Sequence, residues 1–213
     1  MVIDHDSKAY RRKWHLAGAD RFNGAYFYSK EIVSNIIPNI DTDRNWVTIN
    51  IEGACDDHSI VFIHNNMNPS VYDWLKAYKD LVLVCGVPST CEKVAHLGKP
   101  IYLPLSIDVD EVKAHKHRKT RKRAFAGRKD KMTYKCTDCD IITEMPRSMF
   151  LDELSRYKEV YAVGRVALEA KALGCKILPY DDRFEDVNFW QVLDNADVVP
   201  ILQAELDKID KGE

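Results

Sequence analysis

The sequence has no uninterrupted apolar run approaching the roughly 18 residues of a membrane-spanning helix, so no helical span is expected. Its opening, MVIDHDSKAYRRKW, has no apolar core region, and no secretory signal is expected there. Cysteine is sparse, with six in 213 residues, too few for a disulfide scaffold. Reduced thiols and a cytoplasmic location are the expectation. Low-complexity segments and internal repeats are absent, which excludes a solenoid. Net charge is small at −2 and by itself favours neither nucleic acid nor a membrane surface. What remains is a chain with 46% hydrophobic residues, enough for one domain or two small ones.

Hydrophobic patterning supplies the organisation. Residues 13–16 suggest a first strand. Residues 25–37 suggest a helix with Ile32, Val33, Ile36 and Ile37 facing inward, closed by Pro38. Val47, Ile49 and Ile51 alternate with Thr48, Asn50 and Glu52, the pattern of an edge strand. Residues 60–63 are continuously apolar, as in a central strand. A helix over 69–78, a strand over 81–85, a helix from Pro88 to about Leu97 and a strand over 101–105 follow. The alternation resumes with strands over 124–126 and 140–143. A helix then carries Phe150, Leu151, Leu154 and Tyr157 on one face. A last helical segment over 188–208 has Phe189, Trp190, Val192 and Leu193 among its apolar positions. The expected fold class is α/β, with two small Rossmann-like halves whose parallel sheets face a cleft. The halves are residues 1–112 and 124–213, joined by a linker over 113–123.

That linker, KAHKHRKTRKR from Lys113 to Arg123, holds seven Lys or Arg and two His. It reads either as a solvated connector or as a phosphate-attracting patch for a nucleotide or nucleic acid. No aromatic residue interrupts it, which weighs against stacking on single strands. Cys136 and Cys139 form a CxxC, open to three readings: half a zinc site, a redox pair, or two ordinary loop cysteines. No second CxxC accompanies it, and His115 and His117 lack standard ligand spacing.

Residues 159–181, EVYAVGRVALEAKALGCKILPYD, carry the densest signal. A β-branched and aromatic run leads to Gly164, then Val166, Ala167, Ala170 and Leu173 recur at helical spacing up to Gly174. The unit reads as βαβ with parallel strands. The helix start behind Gly164 is a natural anion site. Glu169, about one turn further in, is placed to accept hydrogen bonds from sugar hydroxyls.

The run from Gly164 to Gly174 resembles the donor-site motif of retaining GT-B glycosyltransferases of the family 4 type. That motif is Glu, any residue, Phe, Gly, four residues, Glu-Ala and a downstream Gly. Gly164, Glu169, Ala170 and Gly174 match it in register. Gly127–Arg128 resembles the family's Gly-Arg, with Lys131 as candidate for its phosphate-contacting Lys. Residues 103–112 are similar to the segment leading into the linker, and residues 22–28 to the N-terminal glycine loop.

The resemblance implies a metal-independent transferase needing no cofactor, with a nucleoside-diphosphate sugar as co-substrate. Arg128, Lys131, Gly164, Arg165 and Glu169 would bind the donor, Glu169 at the ribose. Gly24, Asn65 and Asn66 would lie on the acceptor side, with His64 as base or positioning group. A homodimer is a further expectation for so small a chain. The chain departs from the family at Tyr161, where the motif's first Glu would fall. The gap from Arg128 to Lys131 and the N-terminal half are both shorter than the family's. Two alternatives therefore stay open: a non-catalytic nucleotide or nucleotide-sugar binding protein on the same frame, and a nucleic-acid interaction module.

Overall fold

A computed structural model describes residues 24–47, 55–63 and 69–212. The chain separates into two compact units, one holding residues 25–104 and 195–212, the other residues 105–194. Each contains a four-stranded parallel sheet.

Helix α1 (Gly24–Glu31), in the first unit from Ala25 onward, continues through a π-type turn over Ile32–Ile36 into a 3-10 turn over Ile37–Asn39. Ile32, Ile36 and Ile37 are buried as the spacing predicts, whereas Val33 is half-buried. The sheet runs β1 (Asn45–Val47), β2 (Ser59–Ile63), β3 (Val82–Cys85) and β4 (Lys99–Tyr102), in that spatial order. Every residue of β2 and β3 is buried, because a central parallel strand is covered on both faces. In β4, at an edge, only Ile101 is buried. A 3-10 segment over Pro69–Ala77 and helix α2 (Pro88–Val94) connect the strands. The core gathers Val61, Ile63, Tyr72, Leu75, Leu83, Val94 and their neighbours. Gly98 is packed tightly here: a Cβ on it would lie 2.7 Å from the Leu81 carbonyl oxygen.

The second unit comprises α3 (Val109–Ala114), β5 (Arg121–Ala126), β6 (Asp140–Ile142), α4 (Arg147–Leu154), β7 (Tyr157–Tyr161), α5 (Arg165–Ala172) and β8 (Lys176–Leu178). Spatial order is β6-β5-β7-β8. The chain goes outward from β5 to β6, then returns to the other side of β5 for β7. That reversal puts a topological switch point between β5 and β7, and in α/β sheets ligands bind beyond the carboxyl ends of the strands at such points. The two ends of the unit lie together, with the Ile107 N–H donating to the Leu193 carbonyl at 3.1 Å.

Three boundaries differ from the sequence reading. The final helix, α6, spans Asn195–Lys211, so Phe189, Trp190, Val192 and Leu193 precede it. It also belongs to the first unit rather than to residues 124–213. Long-range polar contacts hold it there, with Asn195 donating to Glu31 at 2.9 Å and Arg44 donating to Asp210 at 2.9 Å. Residues 113–123 are not a free connector, since Lys113 and Ala114 lie in the last turn of α3 and Arg121 to Arg123 begin β5. The expected strand over 13–16 lies outside the described residues, as do residues 48–52 of the strand expected from Val47.

Candidate functional site

Gly164 caps the N-terminus of α5 with φ 61° and ψ −142°, a backbone state that a side chain disfavours. A Cβ there would meet nothing within 4 Å, so the requirement is conformational and the space beside the helix start is open. Its carbonyl accepts from the Ala167 N–H at 2.9 Å to begin the helix. At the other end, Gly174 at φ 79° donates to the Lys171 carbonyl at 2.9 Å and Cys175 to Ala170 at 2.8 Å. This paired closure is the Schellman arrangement. It turns the chain into β8, completing the βαβ unit that the spacing predicts.

Glu169 lies in a charge network closed to solvent. Its Oε1 accepts from Arg147 Nη1 at 2.6 Å and from Arg165 Nε at 2.9 Å. Glu169 is fully buried, and Arg147 and Arg165 are nearly so. Arg147 also donates to Glu111 Oε2 at 3.0 Å, joining α3, α4 and α5. Burial works against the Arg147 charge, but the Glu169 and Glu111 carboxylates outweigh it and hold its pKa above the ordinary value. Glu169 Oε2 is buried with no hydrogen-bond partner among the described residues. The expected sugar-facing carboxylate is thus a buried anchor for two guanidinium groups.

Arg147 was absent from the sequence reading, although its position was visible. It shares the i, i+3, i+4, i+7 face with Phe150, Leu151 and Leu154, and all four are buried. A charge on an apolar stripe marks a buried ion pair.

Gly127 and the exposed Arg128 follow β5 directly, beside the strand-order reversal. Lys131 ends a 3-10 turn, its Nζ 5.1 Å from the centre of the Phe184 ring. Tyr161 closes β7, packed edge-on against Tyr180 at 6.0 Å between centroids. Beyond the ends of β7 and β8 lies a cavity of about 220 Å³, lined from Ala162 through the 178–187 loop to Trp190. Among the candidates, Arg128, Lys131, Gly164, Arg165 and Glu169 all belong to this second unit. Gly24 begins α1 in the described chain, while His64, Asn65 and Asn66 lie outside the described residues.

The basic stretch is partly neutralised. Arg121 pairs with Glu153 and donates to the Tyr157 hydroxyl, and Arg123 pairs with Glu159 at 2.8 Å. Lys119 donates to Cys175 Sγ at 3.0 Å, and Asp152 Oδ1 accepts from both His115 and His117. Lys113, Lys116, Arg118 and Lys122 stay exposed. Cys136 is buried against Phe125, Tyr161 and Tyr180, with Cys139 beside it. No cluster of three metal-binding side chains occurs among the described residues, and no described helix is long and apolar enough to cross a membrane.

Neither a family model nor any curated protein matches this chain.

Proposed function

We propose that the chain is a nucleotide-sugar-dependent glycosyltransferase of GT-B type, moving a sugar to a hydroxyl acceptor without a metal. The unit over 105–194 holds the donor. The observation that carries this reading is the placement of Gly164, at an open helix start next to a strand-order reversal. The Arg128 and Lys131 charges and the α5 N-terminus stabilise the negative charge that develops on the departing diphosphate. Glu169 acts indirectly, fixing Arg165 at the first position of α5.

One observation favours a second reading, a non-catalytic nucleotide-sugar binder. The end of β7 presents the packed phenol of Tyr161, not a carboxylate. Turnover of a bound donor separates the two.

The test is calorimetric titration with UDP, GDP and ADP, repeated on Arg128→Ala. That exposed residue can be truncated without opening the core. One diphosphate binds, and Arg128→Ala weakens it about tenfold, the loss of one charge-assisted contact. Binding of none of the three by folded protein would overturn the donor reading. Salt-dependent binding of DNA or RNA through the exposed cations of 113–123 would then be tested.

A further inference from the structure

The sequence draws attention to the CxxC of Cys136 and Cys139, yet there the Cys139 thiol donates to the Cys136 carbonyl oxygen at 3.5 Å. Two thiols in mutual contact belong instead to Cys85 and Cys91, in the first unit. Cys85 is the last residue of β3, and Cys91 lies in α2, which packs on that strand. Gly86 to Thr90 turn the chain between them. Their side chains hydrogen-bond to each other, Cys85 donating to Cys91, and both lie in the core cluster around Leu83 and Val94. Cys85 Sγ also lies 3.6 Å from the Leu83 carbonyl oxygen. The two differ in access: Cys85 has no exposed surface, whereas Cys91 is partly open. A disulfide needs cysteines whose side chains point at each other, and exchange needs one sulfur that an incoming disulfide can reach. This pair meets both conditions.

We infer that Cys91 and Cys85 are the attacking and the resolving thiol of a site that exchanges with small-molecule disulfides and closes a reversible bond between α2 and β3. The Cys91 thiolate attacks one sulfur of the incoming disulfide, forming a mixed disulfide and expelling the other half as a thiolate. Cys85 then loses its proton and attacks the Cys91 sulfur, expelling the second half as a thiolate. The two protein thiols are oxidised, and the incoming disulfide is reduced to two thiols that take up the two protons. Burial holds both cysteines above the ordinary thiol value, Cys85 far above, while the hydrogen bond from Cys85 opposes the rise at Cys91. Cys91 therefore ionises first, and closure by Cys85 is the slower step, quickened by alkali.

Glutathione disulfide is the probe. The full chain is incubated with it for hours at mildly alkaline pH, quenched with N-ethylmaleimide and mapped after trypsin, which releases both cysteines in one peptide, residues 80–93. At completion that peptide has lost two hydrogens and both free thiols, and dithiothreitol restores them. Cys85→Ala keeps one glutathionyl group on Cys91, because no thiol resolves it. Cys91→Ala leaves Cys85 unmodified. A glutathionyl group that persists on Cys91 of the unaltered protein overturns the inference. So does a peptide that stays a dithiol, or a disulfide from Cys91 to any cysteine other than Cys85. The unaltered chain decides between these outcomes by itself, so the test stands even where a variant fails to fold. None of the readouts involves nucleotide binding, and the inference is independent of the donor reading.

Discussion

Arg147 Nη1 lies 2.6 Å from Glu169 Oε1, and neither side chain keeps more than 8% of its surface exposed. Two buried charges so close depend on each other, because losing either leaves Glu169 with Arg165 alone or Arg147 with Glu111 alone in a low-dielectric interior.

Replacing Arg147 with Met therefore costs about 3–5 kcal/mol, leaving Glu111 and Glu169 without their shared partner. Arg147→Lys costs less, because the charge remains but one ammonium replaces a fork that reaches both carboxylates. Urea denaturation midpoints measure both. A Met variant as stable as the parent would show that the network adds no stability.

Gly164→Ala destabilises by about 1–3 kcal/mol through backbone strain alone. Nothing lies within 4 Å of the added Cβ, so steric relief cannot reduce that cost. Melting or denaturant curves give the value. A neutral result would mean that the φ 61° turn relaxes freely in solution.

The hydrogen bonds from His115 and then His117 hold the Asp152 pKa below the ordinary carboxylate value. A depressed acid stabilises the fold above its unfolded pKa of about 3.9 and loses that contribution as pH falls through the folded value. The stability gap between the parent and Asp152→Asn is therefore full at neutral pH and narrows at pH values below about 4. Paired denaturation curves at neutral and acid pH check this, and a gap constant across the range contradicts it.

Thiol labelling separates the cysteines by burial. Cys55, Cys85, Cys136 and Cys175 are buried, while Cys91 and Cys139 are partly open. Burial raises the Cys85 pKa far above that of a free thiol. In native protein an aromatic disulfide reagent titrates Cys91 and Cys139 first, and denaturant releases the rest. Rapid labelling of Cys85 in native protein, read by peptide mapping, would contradict the packing of β3.

Local elements were legible where local chemistry decides them. The apolar runs of β2 and β3, Pro88 at the start of α2 and Gly174 after α5 each act over a few residues, and the structure follows them. Less legible were elements whose character depends on distant partners. A basic run reads as a connector, yet Arg121 and Arg123 lie in a strand because Glu153, Tyr157 and Glu159 stand beside them. Trp190 read as one more apolar helix position, whereas the helix begins at Asn195 and the indole walls a cavity.

By itself the sequence determined the α/β alternation, the βαβ unit around Gly164 and the candidate charges at Arg128 and Lys131. Periodicity, glycine conformation and side-chain type are all short-range properties. Only the tertiary structure decided that Glu169 is an anchor for Arg147 and Arg165 and that the last helix joins the first unit. Only there does the 178–187 loop close a cavity with Trp190. Those outcomes depend on which groups lose water together, and contacts between distant residues set that.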